Sequence, residues 1–393
     1  MSLAVSQRCQ RVKPSPTMAV TAKAAELRAQ GRDVIDLGAG EPDFDTPDHI
    51  KAAGIAAINS GQTKYTAVEG TVALKKAIIE KFKRDNHLEY GMDQILVSSG
   101  AKHTCYNVCA AILNSGDEAI VPAPYWVSYP DMIKLADADP VIVSAMIDEG
   151  FKITPRLLEA AITPRTRLIF LNSPSNPTGA AYTRAELQAL GAVLEQFPGV
   201  VIAADDMYEH IYWAKEPFVS FAEACPGLYD RTVTINGVSK AYAMTGWRIG
   251  YAGGPKPIIA AMKKIQSQST SNPSSISQAA SVEALSGDQS CVKKMTQAFS
   301  QRHDYVVAAL NGIPGFHCLP SAGTFYAFPN VSEAMQAKGL KDDIAIAELL
   351  LNEANVAVVP GSAFGAPGYL RLSFACSLEQ LKEAIKRMTR VLR

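Results

Sequence analysis

The chain has 393 residues, of which 48% are hydrophobic and 19% are charged. This length predicts two domains, because it exceeds what one hydrophobic core usually holds, and the composition is typical of a globular protein. The 38 basic and 38 acidic residues give a formal net charge of +0. Balanced charge argues against a nucleic-acid partner, and no apolar run is long enough to predict a membrane span.

The seven cysteines and six histidines are scattered without the spacing of a zinc site, so we predict no metal. The N-terminal segment lacks the apolar run of a secretory signal peptide. Reduced thiols and the absence of that signal predict a cytoplasmic protein. The sequence is also compatible with an organellar precursor that has lost its transit peptide.

Short runs rich in β-branched residues alternate with helical segments in the first two-thirds of the chain. The runs that we predict as buried parallel strands are 95–97, 118–121, 168–171, 200–204 and 232–235. Residues 184–196 are predicted as a helix, because Thr183 and Glu186 have the pattern of a capping box. The alternation predicts an α/β fold with a mainly parallel sheet and with active-site loops at the carboxyl ends of its strands.

The C-terminal third has a different pattern, in which helical segments surround short apolar strands. These strands are predicted near residues 324–328, 356–359 and 369–374, which is typical of a smaller α+β domain. The predicted division is a large domain of residues 46–289 and a small domain formed by residues 1–45 and 290–393.

The string V-S-K-A-Y-A-M-T-G-W-R-I-G-Y, at residues 238–251, is the strongest chemical signal in the sequence. Lys240 follows a predicted buried strand, and Arg248 stands further along the same string. An enzyme that uses pyridoxal 5′-phosphate (PLP) needs a lysine amine to bond to the cofactor's aldehyde and an arginine fork for its phosphate. Lys240 alone would be interpreted as a surface lysine, so the prediction depends on the whole string.

A second string, N-S-P-S-N-P-T-G at residues 172–179, follows the predicted strand 168–171. Its prolines and glycine predict a rigid loop that presents the amide of Asn176. Taken alone, N-P-T-G is also an ordinary turn.

A third string, A-D-D-M-Y-E-H at residues 204–210, follows another predicted strand. Asp205 suits a pairing with a protonated pyridine nitrogen better than Asp206 does, because neighbouring strand residues point to opposite faces. Tyr208 can donate to the cofactor's phenolic oxygen. We predict that Asp206 and Glu209 are solvated loop charges.

In this order, the three strings resemble those of the fold-type I PLP-dependent aminotransferases of class I. The resemblance covers essentially the whole chain, and within the family it is most similar to the branch of bacterial and plastid aspartate and aspartate/prephenate aminotransferases. It implies a large domain with a mainly parallel seven-stranded sheet and a smaller α+β domain. Five further strings carry it, A-G-E-P-D-F-D-T-P (39–47), K-Y-T-A-V-E-G (64–70), P-Y-W-V-S-Y-P (124–130), V-V-P-G (358–361) and L-R-L-S-F (370–374).

The resemblance implies how the cofactor is held. Trp126 would stack on the pyridine ring, and the helix that begins at residues 100–102 would bind the phosphate through backbone N–H groups. Tyr65 would reach the phosphate from the neighbouring subunit, so the active form would be a homodimer. The implied cofactor-binding set is Gly100, Ala101, Lys102, Trp126, Asn176, Asp205, Tyr208, Lys240, Arg248 and Tyr65.

The resemblance also implies how the substrate is held. Arg371 would clamp the α-carboxylate, with help from Asn176 and the Gly40 backbone, and Trp126 would border the same pocket. The distal carboxylate is different, because residues 268–278 lack the arginine that the well-known aspartate aminotransferase branch uses. In the more similar branch, the side-chain pocket would instead use Lys102, Ser15 and Thr17, with Lys13 beside them.

The implied reaction is a ping-pong transfer of an amino group between aspartate or glutamate and 2-oxo acids (oxaloacetate and 2-oxoglutarate). Lys240 would move the α-proton, and the cofactor would alternate between its pyridoxal and pyridoxamine forms. Conversion of prephenate to arogenate is an open extension. Small molecules and a second copy of the chain are the implied partners, without nucleic acid or membrane.

Other functions remain as alternatives. The same cofactor residues would serve a β-lyase or an aromatic or alanine aminotransferase. A non-catalytic ligand-binding module is disfavoured, because the family pattern begins by about Lys13 and leaves no room for a preceding DNA-binding domain. The G-A-G of residues 38–40 lacks the third glycine of a dinucleotide fingerprint.

Overall fold

The computed structural model describes residues 4–14 and 16–393. Its largest sheet has seven strands in the order β2-β8-β7-β6-β5-β3-β4, and all neighbours are parallel except at β8, which is antiparallel to β2 and to β7. The predicted mainly parallel sheet is confirmed. The strands are β1 (Ile35–Asp36), β2 (Ile95–Ser98), β3 (Glu118–Ala123), β4 (Asp139–Ser144), β5 (Thr166–Asn172), β6 (Val201–Asp205), β7 (Thr232–Gly237), β8 (Gly250–Gly253), β9 (Tyr326–Ala327), β10 (Val356–Ala357), β11 (Val359–Pro360) and β12 (Leu370–Ser373).

Helices cover both faces of this sheet. The capping box of Thr183 and Glu186 forms as predicted and begins α8. In the described part of the chain, no helix combines the length and the hydropathy that a membrane crossing requires. The helices are α1 (Gln7–Arg11), α2 (Pro16–Ala29), α3 (Asp48–Asn59), α4 (Val72–Asn86), α5 (Ala101–Ile112), α6 (Ser128–Leu135), α7 (Pro155–Ala161), α8 (Arg184–Glu195), α9 (Phe221–Ala224), α10 (Lys256–Ser267), α11 (Ser275–Ser286), α12 (Ser290–Asn311), α13 (Ser332–Ala337), α14 (Asp343–Glu353) and α15 (Leu378–Leu392).

Strand β5 shows why the pattern of continuous apolar residues predicts a doubly covered sheet. Leu168 and Phe170 belong to a core cluster with residues of α5 and α6, whereas Ile169 and Leu171 belong to a cluster on the opposite face with residues of α8. Because consecutive side chains of a strand alternate between faces, a strand covered on both sides must be apolar throughout.

Two strands of the large sheet were not predicted from the sequence. Strand β4 is at the sheet edge, and its residues are mostly exposed or half-buried, so it lacks the continuous apolar signal. Strand β8 begins and ends with glycine, which has low strand propensity. Gly250 is nevertheless required there, because a Cβ atom at this position would collide with the backbone of Ala101.

The remaining strands form two small sheets outside the large one. Strand β1 pairs in parallel with β10, and β12 lies between β11 and β9 in an antiparallel sheet. Helices α12, α14 and α15 pack around them, with Phe299, Phe325, Leu350 and Met388 in one hydrophobic cluster. The strands predicted in the C-terminal third are therefore present. The domain bounds 46–289 and 1–45 with 290–393 stay a prediction.

A buried ion pair anchors the segment that follows β6. Glu209 is 5% exposed and Asp206 3% exposed, so the expectation that both are solvated charges was wrong. The Glu209 carboxylate pairs with Lys81 of α4 and accepts hydrogen bonds from Asn86 Nδ2 at 2.7 Å and Asn236 Nδ2 at 2.9 Å. Burial acts to raise the pKa of Glu209, but the charges of Lys81 and His210 and the hydrogen bonds from Lys81 and Asn86 together lower it below its ordinary value.

Replacing Lys81 with methionine should leave the Glu209 carboxylate buried without its cation. Removing one partner of a buried ion pair costs about 3–5 kcal/mol, so Lys81→Met should clearly lower the midpoint of thermal unfolding. The control is Lys256→Met, because Lys256 pairs with Asp93 at the surface and an exposed pair contributes at most about 1 kcal/mol. Equal shifts for the two variants, measured by circular dichroism, would contradict the role of the buried pair.

Candidate active site

A cavity of about 520 Å³ opens at the carboxyl ends of the large sheet's parallel strands. Such an edge is where ligands bind in open α/β sheets, and the volume is in the usual range for a small-molecule site. The three-stranded sheet contributes the opposite wall through β9 and β12. The residues that line the cavity are Thr17, Met18, Thr21, Gly38, Ala39, Gly40, Glu41, Ala101, Lys102, Trp126, Tyr129, Asn172, Asn176, Asp205, Met207, Tyr208, Ser239, Lys240, Thr245, Arg248, Tyr326 and Arg371.

Lys240 follows β7 and is half-buried in the cavity wall. Its Nζ donates a hydrogen bond to the carbonyl oxygen of Gly40 at 2.5 Å. Desolvation lowers the pKa of Lys240 to about 8, and the nearby cations Arg371 and Arg248 act in the same direction. A substantial fraction of this amine is therefore neutral and nucleophilic near pH 8, unlike that of a surface lysine.

Asp205 is the last residue of β6, and it is 5% exposed. Its Oδ2 accepts a hydrogen bond from the Tyr129 hydroxyl at 2.5 Å, and its Oδ1 accepts one from the Met207 backbone N–H at 3.2 Å. Burial raises the pKa of Asp205. As the alternation of strand residues predicts, Asp205 lines the cavity, and its neighbour Asp206 is absent from the cavity lining.

An anion cradle lies between the start of α5 and Arg248. Gly100 precedes the helix with a φ of +91°, and a Cβ atom at this position would collide with the Arg248 guanidinium. Arg248 is itself in the left-handed region, with a φ of 57°, and its Nη1 donates to the Thr245 carbonyl oxygen at 2.8 Å. A helix N-terminus beside an arginine provides backbone N–H groups and positive charge, which is the donor set that a phosphate requires.

Arg371 lies on β12 and is 2% exposed. Its Nη1 donates to Asn176 Oδ1 at 3.0 Å, and its Nη2 donates to the carbonyl oxygen of Gly38 at 2.7 Å. Its Nε is buried and has no hydrogen-bond partner among the residues that the structure describes. Because a buried charged donor without an acceptor is costly, this guanidinium is ready for an anionic ligand in the cavity.

Trp126 and Lys102 lie next to each other on the cavity wall. The Lys102 ammonium is 5.1 Å from the centroid of the Trp126 ring. Desolvation in the cavity and the charge of Arg248 lower the pKa of Lys102. Thr17, at the start of α2, lines the same cavity.

Two of the residues singled out from the sequence, Lys13 and Tyr65, do not line this cavity. Lys13 is exposed and is not part of the cavity lining. Tyr65 is 94% exposed and does not line the cavity of its own chain. Ser15 lies outside the described residues. Gly40 contacts Lys240 through its carbonyl oxygen, whereas its role as a backbone N–H donor stays a prediction.

Sequence reasoning missed two tyrosines of this cavity. Tyr129 lies in the first turn of α6, three residues after Trp126, and the centroids of the two rings are 5.3 Å apart, so its closeness to Trp126 in the sequence could have indicated it. Tyr326 stands in the apolar string T-F-Y-A-F of residues 324–328, where an aromatic residue is interpreted as core. No sequence signal distinguishes it from the neighbouring Phe325.

Comparison with known proteins gives the family. The family of class I and II aminotransferases matches residues 32–388. The chain belongs to this family. The aspartate/prephenate aminotransferase of Nitrosomonas europaea is 58% identical over 99% of each chain, and that of Cereibacter sphaeroides is 57% identical over 98% of this chain and 97% of the relative.

Solved structures agree with this assignment. The aspartate aminotransferase of Rhizobium meliloti, 49% identical, superposes with a TM-score of 0.96 and covers 100% of this chain and 99% of that one. The aspartate aminotransferase of Thermus thermophilus with maleate, 42% identical, gives a TM-score of 0.93 over 99% of this chain and 100% of that one. The predicted family, the α/β fold and an aminotransferase activity are confirmed.

The anion cradle of this aminotransferase can be tested with inorganic phosphate. A methyl group at Gly100 would displace the Arg248 guanidinium, so Gly100→Ala should weaken phosphate binding roughly tenfold, which corresponds to the loss of about one charged hydrogen bond. The measurement is calorimetric titration of the protein with phosphate.

Gly116→Ala is the matched control. Gly116 also has a positive φ, of +88°, but no atom lies within 4 Å of the added Cβ. This variant carries the same kind of backbone strain away from the cavity and should bind phosphate as the parent protein does. If both variants bound phosphate like the parent, the cradle would be misplaced.

Proposed function

We propose that this aminotransferase uses PLP bound at Lys240 and exchanges the amino group between aspartate or glutamate and their 2-oxo acids, oxaloacetate and 2-oxoglutarate, with prephenate as a further acceptor. The observation that carries the proposal is the convergence, in one cavity, of a desolvated amine, a buried carboxylate, an anion cradle and a buried arginine. Each of these four groups is complementary to a different part of the cofactor or the substrate.

The chain's residues fit PLP at each of its polar groups. Lys240 is the amine for the aldehyde, Asp205 is the carboxylate for the pyridine nitrogen, and Tyr208 is the hydroxyl donor for the phenolic oxygen. The anion cradle between the start of α5 and Arg248 would hold the phosphate. When bound, the cofactor supplies a protonated ring that takes up the electrons released at the substrate's Cα.

Asp205 would keep a proton on the pyridine nitrogen. Burial raises the pKa of Asp205, so its ionised form needs a positive charge nearby in the bound state. The hydrogen bonds from Tyr129 and from the Met207 backbone fix the orientation of the carboxylate. A fixed carboxylate in a low-dielectric setting favours the protonated ring more strongly than a mobile surface carboxylate would.

Lys240 would move the proton at the substrate's Cα. With a pKa of about 8, the amine can be present in both its neutral and its protonated form close to neutral pH, which suits a general base and acid. The hydrogen bond to the Gly40 carbonyl oxygen holds Nζ on the cavity wall. Lys240 would therefore take up the proton on one side of the reaction and return it on the other.

Arg371 and Lys102 would position a substrate with two carboxylates. Arg371 offers a buried guanidinium whose Nε lacks a partner among the described residues, which suits the α-carboxylate. Lys102 and Thr17 offer a point charge and a hydroxyl on the same cavity, which suits a distal carboxylate without requiring a single shape. The relatives are named as aspartate or aspartate/prephenate aminotransferases, which supports this class of substrate.

We further propose a homodimer in which Tyr65 reaches the phosphate of the neighbouring subunit. Tyr65 is 94% exposed, and Val72, Ile55 and Ile58 nearby in the sequence are 62%, 58% and 52% exposed. Several exposed apolar side chains within one short part of the sequence favour a protein interface there. We also retain the division into a large domain of residues 46–289 and a small domain of residues 1–45 and 290–393.

We propose a cytoplasmic location as well. The cysteines support it, because they form no disulfide in the described residues.

The role of Lys240 predicts two spectroscopic results. Lys240→Ala should abolish turnover and the visible absorbance that PLP acquires when it bonds to the protein. In the parent chain, the rate at which this absorbance appears after PLP is added should rise with pH around a midpoint near the pKa of about 8, because only the neutral amine attacks an aldehyde. Stopped-flow absorbance measures both.

Lys264→Ala is the control for this test, because Lys264 lies on α10 and is not part of the cavity lining. It should retain the absorbance and turnover of the parent. Full turnover by Lys240→Ala would overturn the proposed function. A midpoint near the ordinary lysine value would instead show that desolvation of the amine is unimportant.

The role of Lys102 predicts a change in substrate preference. Lys102→Ala should raise KM for aspartate and glutamate roughly tenfold, on the order of one charged hydrogen bond, and should change KM for alanine little. The measurement is a steady-state panel of amino donors against oxaloacetate, 2-oxoglutarate and prephenate. Lys13→Ala is a matched control, since Lys13 is exposed and outside the cavity lining. Unchanged aspartate and glutamate kinetics in Lys102→Ala would show that the distal carboxylate binds elsewhere.

A further inference from the structure

Tyr326 touches both halves of the proposed site. It lies on β9, where it pairs with Ser373 of β12, and it is 1% exposed although it lines the cavity. The centroid of its ring lies 4.4 Å from Cζ of the Arg371 guanidinium, and its hydroxyl oxygen lies 3.1 Å from the Tyr208 hydroxyl oxygen. One side chain therefore contacts the group proposed for the substrate carboxylate and the group proposed for the cofactor's phenolic oxygen.

The ring of Tyr326 restricts the guanidinium of Arg371. The ring of Phe364 also lies near the guanidinium, with its centroid 5.0 Å from Cζ. Asn176 and Gly38 hold the two terminal nitrogens by hydrogen bonds in the guanidinium plane. Aromatic contacts together with these in-plane bonds leave Arg371 little freedom to rotate.

The hydroxyl of Tyr326 determines which way the Tyr208 proton can point. Each phenol has a single proton, so within the pair one hydroxyl donates to the other. Burial raises the pKa of both phenols, so both remain protonated and neutral. If Tyr208 donates to a ligand oxygen, the bond between the two tyrosines must run from Tyr326 to Tyr208. Donation from Tyr326 polarises Tyr208 and strengthens the onward hydrogen bond.

We infer that Tyr326 is a positioning residue with two separable actions: its ring fixes Arg371 for the substrate carboxylate, and its hydroxyl directs the Tyr208 proton toward the phenolic oxygen of the cofactor. This inference rests on the proposed function. It goes beyond it because it assigns a role in substrate binding and in cofactor protonation to one residue of the small antiparallel sheet.

Removing the hydroxyl should change the pH titration of the bound cofactor. Hydrogen bonding to the negatively charged oxygen favours the deprotonated form of the cofactor, so weakening that bond should move the titration midpoint upward. Among the described residues, the charged side chains with the largest influence on Tyr208 are Arg371 and Asp205. Those with the largest influence on Lys240 are Glu41, Arg371, Arg248 and Lys102. Tyr326→Phe leaves all of these charges in place.

The experiment compares Tyr326→Phe with Tyr326→Leu in the cofactor-loaded protein. Tyr326→Phe should raise the pH midpoint of the visible absorbance by about 0.5–1 pH unit, the scale of one neutral hydrogen bond, and should bind maleate within about twofold of the parent. Tyr326→Leu, which also lacks the ring, should show the same midpoint shift and bind maleate roughly 3- to 30-fold more weakly. Maleate binding is measured by calorimetry and the midpoint by spectrophotometric titration.

Two further variants make the result specific. Tyr208→Phe should shift the midpoint upward by at least as much as Tyr326→Phe, because it removes the hydroxyl that would donate directly to the cofactor's phenolic oxygen. Tyr90→Phe is the matched control, because Tyr90 is a buried tyrosine whose hydroxyl lies 3.0 Å from Thr234 Oγ1, outside the cavity lining. It should change neither the midpoint nor maleate binding.

The outcomes separate this inference from the proposed function. If Tyr208→Phe shifts the midpoint and Tyr326→Phe does not, the hydroxyl relay is wrong while the proposed function stands. If Tyr326→Phe weakens maleate binding as much as Tyr326→Leu does, the ring has no separate action and the inference is overturned. Should Tyr326→Leu fail to fold, the midpoint in Tyr326→Phe still decides the relay. Absence of visible absorbance in the parent would instead refute the proposed function.

Discussion

A buried carboxylate without a cationic partner is the constraint on which the site depends. Asp205 is 5% exposed and, within the described residues, forms hydrogen bonds to Tyr129 and Met207 but no ion pair. Placing a carboxylate at the end of a central strand without a cation is costly unless a positive group binds beside it. The proposed cofactor would supply that group through its protonated ring. Asp205 lines the same cavity as the Lys240 amine and as Arg248 of the anion cradle.

The large and the small sheets contribute different parts of the site. Asp205 and Lys240 come from the carboxyl edge of the large sheet, where parallel strands end together. Arg371 and Tyr326 come from adjacent strands of the three-stranded antiparallel sheet. The segment of residues 38–40 connects the two groups, because the carbonyl oxygens of Gly38 and Gly40 accept hydrogen bonds from Arg371 and from Lys240, respectively. Substrate would therefore bind between two separately built surfaces.

Much of this arrangement could be predicted from the sequence. Continuous apolar runs mark strands that are covered on both faces, and the strings around Lys240, Asp205 and Asn176 carry a chemistry that few other patterns share. The edge strand β4 lacked such a signal because most of its residues are exposed or half-buried. Strand β8 lacked it because it begins with Gly250, where the backbone of Ala101 leaves no room for a side chain, and ends with Gly253. The burial of Glu209 could not be predicted either, since its partner Lys81 is far away in sequence and the pair forms only through packing. Tyr326 was missed for the same reason, since its contacts with Tyr208 and Arg371 join residues that are far apart in the sequence.

The Lys81–Glu209 pair has a consequence for the acid tolerance of the enzyme. In the folded protein, the pKa of Glu209 is lower than in the unfolded chain, so this carboxylate adds stability above its unfolded pKa and loses that contribution as the pH falls through the folded value. Acidification would therefore weaken the buried ion pair that anchors the segment after β6, which includes Tyr208. A group that does not line the cavity would then contribute to the loss of stability at low pH.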